Sequence, residues 1–394
     1  MSALGNTSDA ILRRLYKFEN AVAAIEELKE FKGLNTHLGA KLVFAHPAHW
    51  TRKTTRTMGT VAQYALCASE TAVADAALNP ADLESGRCGV AYGSCSGSID
   101  AHLDLFSMFF DHELKNVTSS TYIKLMPQTC ACNLSIHFKT RGRLVPTDTA
   151  CTSGSLAVGQ AYELVKYGLQ DLVIAGGAEE FSPSQLAIFD TLYATSLKND
   201  RPKLTPRPYD ADRDGLVIGE GAATLIVEDY EHAKARGAKI YAEIVGFCEN
   251  TDGVHATNPN AQTMAECLRG AIADAKIDAR AIGYVSGHGT ATKAGDIAET
   301  FATRAALGFP APISSLKSYT GHTLGACGAL EAMVSILCMR EGWFHPTLNL
   351  SNPDPECAQL DYIVGEGRKI DADYIMSNNF AFGGVNTALV LKRI

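Results

Sequence analysis

The chain has 394 residues, of which 46% are hydrophobic and 20% are charged, a composition that excludes a disordered protein. Its formal net charge of −8, from 35 basic and 43 acidic side chains, argues against a general nucleic-acid binder. No apolar run is as long as a membrane span requires, and the first residues do not resemble a secretory signal, so we expect a cytoplasmic protein without a membrane partner.

Short β-rich runs alternate along the chain with longer segments of helical spacing. The predicted strands cover residues 87–92, 172–175, 222–227, 240–247, 282–285, 375–377 and 387–392, and the predicted helices cover residues 155–167, 231–236, 261–275 and 324–340. This alternation predicts an α/β fold with buried, mostly mixed sheets. The polar stretch 198–213 predicts a long ordered loop. The apolar run 103–110 predicts core packing, with a pocket floor or a dimer interface as the alternatives.

The cysteine pattern bears on metal sites and disulfides. There are eleven cysteines, an odd number scattered through apolar segments, which does not fit a disulfide framework. Most are expected to be small buried hydrophobic residues. No CxxC or HExxH motif occurs, so we predict no metal site.

One cysteine has a setting that the others lack. Cys151 lies in the stretch TDTACTSG, among small residues and directly before a predicted helix. The positive end of a helix dipole favours a thiolate, and small neighbours let a substrate approach. Cys151 is therefore the predicted nucleophile.

Three further polar or glycine-rich clusters follow. His288 lies between two glycines at a predicted strand end, and Thr290 and Thr292 beside it suggest a polar ligand. In the next cluster, Lys317 and His322 precede the helix that contains Glu331, and the many small residues of this segment predict close backbone packing. The last cluster, residues 378–386, places a phenylalanine before paired glycines, where backbone N–H groups can face an oxyanion.

A cysteine and two histidines are also compatible with a cysteine hydrolase. Such an enzyme needs a general base oriented by Asn or Asp, and no carboxylate obviously orients either histidine. Neutral imidazoles can donate hydrogen bonds to a developing enolate. The clusters therefore favour an acyl transferase that forms carbon–carbon bonds.

The motifs TACTSG, GHGTAT, KSYTGHTLGACGALE and NNFAFGGVN resemble those of the β-ketoacyl-acyl carrier protein synthases, in the elongating (type I/II) branch. The stretches VIAGGAEEF, RPYDADRDGLVIGEGA and GAKIYAEIVGF agree, and the likeness extends from about residue 2 to residue 392. The resemblance implies the thiolase fold. In that fold two similar βα halves, here residues 1–238 and 239–394, form a layered α-β-α-β-α core, usually as a homodimer.

The resemblance also implies the roles of the site residues. Cys151 matches the nucleophile, His288 and His322 the pair that promotes malonyl decarboxylation, and Lys317 and Glu331 the linked charges beside them. The backbone N–H groups of Cys151 and Phe382 match the oxyanion hole, and Phe382 the gate over the acyl pocket. Substrate contacts are expected from Thr290, Thr292, Thr257 and Gly383, and carrier-protein contacts from Arg52, Lys53, Arg56 and Lys115.

No metal or resident cofactor is implied, because the phosphopantetheine arrives on the acyl carrier protein. Residues 51–58 carry three positive charges with helical spacing, which places Arg52 and Arg56 on one face. Carrier proteins of this type are strongly acidic, so this basic patch is the predicted docking surface.

Two features depart from the family pattern. Members usually begin with a strand before the segment matching residues 2–6, and here that strand is absent, so either the recorded start is late or the strand is supplied differently. The gate usually reads Gly-Phe-Gly-Gly, whereas this chain has Ala381 before Phe382. An alanine there is expected to stiffen the gate.

Three alternative functions stay open. One is a non-catalytic chain-length factor, although such proteins typically lack the cysteine. The second is a catalytic ketosynthase subunit that pairs with a chain-length factor, as in some polyene and polyketide pathways. The third is a thiolase acting on coenzyme A esters, which normally has a second cysteine in the position of His322. The acyl chain length, its saturation and the pathway are not predicted.

Overall fold

The computed structural model describes residues 1–394. Its α-helices are α1 Ser8–Tyr16, α2 Arg52–Thr55, α3 Thr60–Asp75, α4 Pro80–Glu84, α5 Ile99–Asp111, α6 Ser119–Leu125, α7 Thr129–Phe138, α8 Ser153–Lys166, α9 Pro183–Thr191, α10 Tyr230–Ala235, α11 Ala261–Ala275, α12 Lys293–Leu307, α13 Lys317–Thr320 and α14 Cys327–Glu341. Its strands are β1 Ala23–Ala24, β2 Leu38–Gly39, β3 Cys88–Gly93, β4 Leu144–Thr147, β5 Leu172–Glu179, β6 Gly221–Glu228, β7 Glu243–Thr251, β8 Ile282–Ser286, β9 Pro312–Ser314, β10 Trp343–Phe344, β11 Asp361–Tyr362, β12 Arg368–Lys369, β13 Tyr374–Phe380 and β14 Val385–Lys392. Short 3-10 turns cover Glu26–Glu30, Ala150–Thr152, Pro202–Leu204, Ala279–Ala281 and Leu324–Ala326.

Two mixed sheets organise these elements, as the alternation of strands and helices predicts. The first has the order β4-β3-β5-β6, with only the last pair antiparallel. The second has the order β11-β9-β8-β13-β14-β7, in which β14 runs antiparallel to both neighbours. Strands β3 and β5 are buried along their whole length. Parallel strands that are covered on both faces have nearly continuous apolar sequences, which fits the composition of these two strands.

The helices complete five layers. Helices α3 and α7 cover one face of the first sheet, and α8 packs on its other face. Helices α8 and α14 lie between the two sheets, and α11 and α12 cover the far side of the second sheet. The main hydrophobic core lies around this central helix layer, with Val158 and Leu330 packed between Val173 and Leu389 of the two sheets. This arrangement is the expected thiolase fold, and the proposed boundary between residues 238 and 239 stays a prediction.

The predicted elements are present with shifted ends. The strand expected over residues 240–247 is observed as Glu243–Thr251, and the helix expected from residue 324 begins with a 3-10 turn and becomes α-helical at Cys327. The stretch 198–213 is an ordered loop with one short 3-10 turn, Pro202–Leu204. No helix combines the length and the apolar character that crossing a bilayer requires.

The first residues lie along β6. The terminal amino group of Met1 donates to the carbonyl of Ala222 at 2.8 Å, and Ser2 forms a β-bridge with Gly221. Segment 1–2 therefore extends the first sheet beyond β6 by a short pairing. How the usual first strand of the family is supplied stays a prediction.

The prediction of core packing for residues 103–110 is wrong. In helix α5, Phe109 is 64% exposed and Phe110 is 83% exposed. Leu103 and Phe106 of the same helix are exposed as well. Helix α6 packs against α5, but the rest of the chain leaves these four apolar side chains uncovered. A contiguous exposed patch of this kind is typical of a protein–protein interface.

Candidate active site

Cys151 lies in the single 3-10 turn that joins β4 to α8. Ala150, directly before it, has a φ of +51°, a left-handed conformation that is uncommon for alanine and often found next to reactive groups. The thiol is buried, with 5% of the residue exposed. The turn thus directs the sulfur into the interior at the N-terminal end of α8.

Close backbone packing brings the third motif to this turn. A Cβ atom at Gly154 would lie 2.9 Å from the carbonyl oxygen of Gly325, and a Cβ atom at Gly328 would lie 2.5 Å from the backbone nitrogen of Ser155. Both distances are shorter than any real contact of a Cβ atom. The small residues predicted to allow close packing therefore let α8 approach the 322–328 segment, and this contact carries His322 to Cys151.

Two histidines converge on the sulfur. The Nε2 atom of His322 lies 3.0 Å from Sγ of Cys151. The His288 ring lies edge-on to the His322 ring, with 5.2 Å between their centroids. Both histidines are buried, and burial together with the nearby Lys317 charge lowers their pKa well below the usual value. Both imidazoles are therefore neutral at neutral pH.

The partners of the two Nδ1 atoms determine where the imidazole protons lie. Nδ1 of His288 faces two donors, Nζ of Lys317 at 3.0 Å and Nδ2 of Asn379 at 3.2 Å. Nδ1 of His322 accepts the backbone N–H of Leu324 at 3.3 Å. Each Nδ1 is thus an acceptor, and each neutral ring carries its proton on Nε2. Both rings can therefore donate a hydrogen bond into the cavity at Cys151.

Lys317 belongs to a buried charge pair. Its Nζ donates to Oε1 of Glu331 at 2.5 Å, and the two residues are 1% and 2% exposed. Burial lowers the pKa of Lys317, but Cys327 and Glu331 outweigh this and raise it overall. The lysine is therefore charged, and its ammonium occupies the space among His288, Cys327 and Glu331, three residues whose side chains could otherwise hold a metal ion.

Asn379 is a site residue that sequence reasoning missed. Its Nδ2 donates to Oε2 of Glu331 at 2.7 Å and also reaches His288, while the side-chain oxygen Oδ1 is buried without a partner. The parallel register pairs Ser377 with Ser286, which places Asn379 and His288 side by side two residues further on. Its place in the NNFAFGGVN motif was the only sequence signal of a role in the site. Its contacts with Glu331 and His288 depend on strand pairing, which the motif does not specify.

The charge state of Cys151 differs from the expectation. Burial raises the pKa of its thiol to about 11, although Lys317 and the backbone N–H groups of Phe382 and Cys151 itself lower it. Desolvation therefore outweighs the helix dipole that was expected to favour a thiolate. The resting sulfur is a neutral thiol. These two N–H groups are the pair that the sequence assigned to the oxyanion hole.

The loop predicted to form the gate, residues 381–384, lines the cavity that contains Cys151. The Phe382 ring packs against Phe189, with 5.4 Å between the ring centroids. Gly383 has a φ of +89°, and its N–H donates to the carbonyl of Ala256 at 2.7 Å. That N–H is engaged in this conformation, so the predicted substrate contact by Gly383 requires the loop to move. Ala381 does not have a positive φ, and alanine is therefore unstrained in this state.

A cavity of about 440 Å³ leads from the surface to the sulfur and the two histidines. Thr257, Thr290 and Thr292 line it, and their contact with a substrate stays a prediction. The hydroxyls of Thr290 and Thr292 are 2.9 Å apart, whereas Thr257 is exposed. The cavity has the size of a site for a small-molecule substrate or a prosthetic arm.

Buried carboxylates hold the loops that carry the histidines. Oε2 of Glu299 accepts the N–H of Gly289 at 2.7 Å. Oε2 of Glu179 accepts the N–H of Gly325 at 3.1 Å and that of Cys95 at 2.7 Å. Burial raises the pKa of Glu179 and of Glu299 to about 7. The motifs AGGAEEF and GDIAE contain these residues, but their structural task was not predicted.

The predicted carrier-binding residues lie on the surface. Arg52, Lys53 and Arg56 are exposed and form no ion pair. Helix α2 covers only Arg52–Thr55, so it is shorter than the spacing of residues 51–58 suggested. Lys115 differs from the other three, because its Nζ is paired with Glu113 at 2.7 Å. Its charge is therefore partly neutralised.

Comparison with known proteins identifies close relatives. Residues 2–233 match the family described as "Beta-ketoacyl synthase, N-terminal domain", and residues 241–351 match "Beta-ketoacyl synthase, C-terminal domain". A curated relative, 3-oxoacyl-[acyl-carrier-protein] synthase 2 of Vibrio harveyi, is 36% identical over 401 residues, which cover 100% of this chain and 96% of the relative.

Two solved structures extend the likeness to three dimensions. A β-ketoacyl synthase from Burkholderia phymatum STM815 has a TM-score of 0.98 and 55% identity, covering 100% of this chain and 97% of that one. The ishigamide ketosynthase/chain length factor has a TM-score of 0.91 and 27% identity, and the match covers 100% of this chain and 96% of that one.

Proposed function

The chain belongs to the β-ketoacyl synthase family, and on this premise we propose that Cys151, His288 and His322 carry out a decarboxylative condensation. The protein is an acyltransferase that forms carbon–carbon bonds, a 3-oxoacyl-[acyl-carrier-protein] synthase like its curated relatives. The observation that carries the proposal is the convergence of two Nε2–H donors on one buried thiol. The roles of these residues and the individual reaction steps are part of this proposal.

The first half-reaction transfers an acyl group to the enzyme. Sγ of Cys151 attacks the thioester carbonyl of an acyl carrier protein, a new C–S bond forms, and the bond to the pantetheine sulfur breaks. The thiol proton of Cys151 leaves with the departing carrier thiol. The backbone N–H groups of Cys151 and Phe382 stabilise the tetrahedral oxyanion, since both lie close enough to the sulfur to lower the pKa of its thiol.

The second half-reaction generates the carbon nucleophile. The malonyl thioester loses CO2, and the electron pair of the broken C–C bond becomes the enolate of an acetyl thioester. The Nε2–H groups of His288 and His322 donate to the enolate oxygen, because their Nδ1 atoms are occupied by other donors. The Lys317 charge stabilises the developing negative charge and keeps His288 in this tautomer.

Condensation then completes the cycle. The enolate carbon attacks the acyl-Cys151 carbonyl, the new C–C bond forms, and the C–S bond to Cys151 breaks. The sulfur takes up a proton from solvent, which restores the thiol. The product is a 3-oxoacyl thioester that is two carbons longer than the acyl substrate.

A pair of Cys151 variants tests this assignment. Cys151→Ala removes the acyl acceptor, so condensation should be abolished. Cys151→Gln should retain malonyl decarboxylation, because its side-chain amide mimics an acyl group and leaves both histidines free. Release of CO2 and formation of product are measured separately with malonyl and acyl carrier proteins. Acyl transfer at the native rate by the alanine variant would overturn the assignment of the nucleophile.

The carrier protein supplies the phosphopantetheine, which enters the cavity along Thr257, Thr290 and Thr292. The exposed, unpaired Arg52 and Arg56 form the docking patch for this acidic partner. Long-range attraction of this kind raises the association rate and weakens with salt. A cytoplasmic location stays a prediction.

The apolar face of α5 supports a dimer. Its exposed members Phe109 and Phe110 stand on a surface of a kind that monomers rarely leave uncovered. A homodimer is the first proposal, and a heterodimer with a chain-length factor is the second, because one structural neighbour is a ketosynthase/chain length factor. Sedimentation of the protein expressed alone separates them. A dimer that Phe110→Glu dissociates supports the first, and a native monomer supports the second.

A further inference from the structure

Tyr193 ends helix α9 in an unusual conformation. Its N–H donates to the carbonyl of Asp190 at 3.0 Å, and the N–H of Ala194 donates to that of Phe189 at 3.0 Å. These two bonds form a Schellman motif, whose left-handed position is normally glycine. Here that position is Tyr193, with a φ of +52°.

The fold itself gives no reason for a tyrosine at this position. The residue is 90% exposed, its hydroxyl makes no hydrogen bond to the protein, and its ring contacts no other aromatic ring. A left-handed conformation is unfavourable for any residue with a Cβ atom, so glycine would make the protein more stable. A bulky side chain at such a position points to a function outside the fold.

The location of Tyr193 indicates which function. Leu192 and Tyr193 line the same cavity that contains Cys151 and the histidines. Ile188 lies one helical turn before Leu192 and is 59% exposed. Leu192 and Tyr193 are exposed at the edge of the cavity, and Ile188 extends this apolar surface along α9; the three residues are called the apolar lip here. A protein that delivers a thioester to Cys151 through this opening would cover the surface around it, which includes the lip.

We infer that the apolar lip, Ile188, Leu192 and Tyr193, contacts the body of the acyl carrier protein while its arm occupies the cavity. This inference rests on the proposed function. Tyr193 lines the cavity and is nevertheless 90% exposed, so most of its side chain stays open to a partner larger than the arm. Rigid, exposed tyrosine rings are favoured anchors in protein interfaces, since few rotatable bonds are ordered when they bind. The lip would thus add an apolar contact to the charge attraction of the basic patch.

The test uses the native protein and Tyr193→Gly. Glycine removes the ring and relieves the left-handed strain, so the melting temperature should rise by about 1–3 °C. At the same time KM for the acyl carrier protein should rise on the order of fivefold, as expected for the loss of an interface tyrosine. KM for a short acyl-pantetheine should stay the same. A variant that is more stable and yet binds the carrier less well cannot be explained by damage to the fold.

Two further variants serve as controls. Lys276 ends α11 in the same motif, with a φ of +56° and the same bond pattern, and it does not line the cavity. Lys276→Gly should raise the melting temperature without changing KM for the carrier. Tyr193→Phe keeps the ring and should restore the KM for the carrier that Tyr193→Gly loses.

Three results would overturn the inference. An unchanged KM for the carrier in Tyr193→Gly would show that the ring does not contact it, and an equal rise for acyl-pantetheine would assign the ring to the arm. A change in sedimentation would place Tyr193 in a subunit interface. If the native protein transferred no acyl group from any carrier protein, the proposed function itself would fail, which is a separate result.

Discussion

Replacing Lys317 by methionine removes the ammonium that neutralises the Glu331 carboxylate. Glu331 is 2% exposed and would keep Asn379 as its remaining donor, at 2.7 Å. Breaking a buried ion pair on one side typically costs about 3–5 kcal/mol, because the other charge is left uncompensated. We expect Lys317→Met to lower the free energy of unfolding by that amount.

The double variant Lys317→Met/Glu331→Gln separates stability from catalysis. With both charges gone, no uncompensated ion stays buried, so most of the lost stability should return. Decarboxylation should not return, because the Lys317 ammonium no longer holds His288 or stabilises the enolate. The loss expected from removing such electrostatic stabilisation is on the order of a hundredfold or more.

Denaturant unfolding and CO2 release from malonyl carrier protein measure the two quantities on the same samples. Acylation of Cys151, followed by intact-protein mass spectrometry, serves as the control, because it does not require the enolate. Decarboxylation within about threefold of the native rate in the double variant would refute the role assigned to Lys317.

Three further predictions concern other residues. Asn379→Ala should slow decarboxylation by about 10- to 100-fold and spare acylation, since one donor to His288 is lost; equal effects on both half-reactions would indicate a merely structural role. Charge reversal at Arg52 and Arg56 should raise KM for carrier-protein substrates and leave small thioesters nearly unchanged; equal losses would exclude docking. Burial raises the pKa of Glu179 to about 7, so the folded protein binds this proton more tightly than the unfolded chain does. Its contribution to stability is therefore lost as the pH rises from about 4.5 to 7, and Glu179→Gln should flatten that decline in denaturant unfolding.

Much of the site was predictable because its chemistry lies in short local patterns. Cys151 precedes a helix among small residues, and His288 follows a strand between two glycines. A few consecutive residues are enough to identify each of these settings. The resemblance to one family then assigned Lys317, His322 and Glu331. In the structure His322 contacts Cys151, and the Lys317–Glu331 pair contacts His288.

The features that sequence reasoning missed depend on distant parts of the chain. Asn379 meets His288 through the register of two parallel strands, which adjacent residues do not specify. The pKa of Cys151 depends on how completely the folded chain removes water from it, and that burial outweighs the local helix dipole. The apolar face of α5 was misassigned because residues 103–110 have the same apolar pattern whether their cover is this chain or another.

The most direct test of the central claim is intact-protein mass spectrometry of the native enzyme with a panel of acyl carrier proteins. Native protein should gain the mass of the acyl group, the Cys151→Ala variant should gain none, and malonyl carrier protein should discharge the acyl group into a 3-oxoacyl product two carbons longer. The acyl chain that loads best would also identify the substrate. Acylation of the alanine variant, or an acyl-enzyme that malonyl carrier protein fails to discharge, would contradict the account.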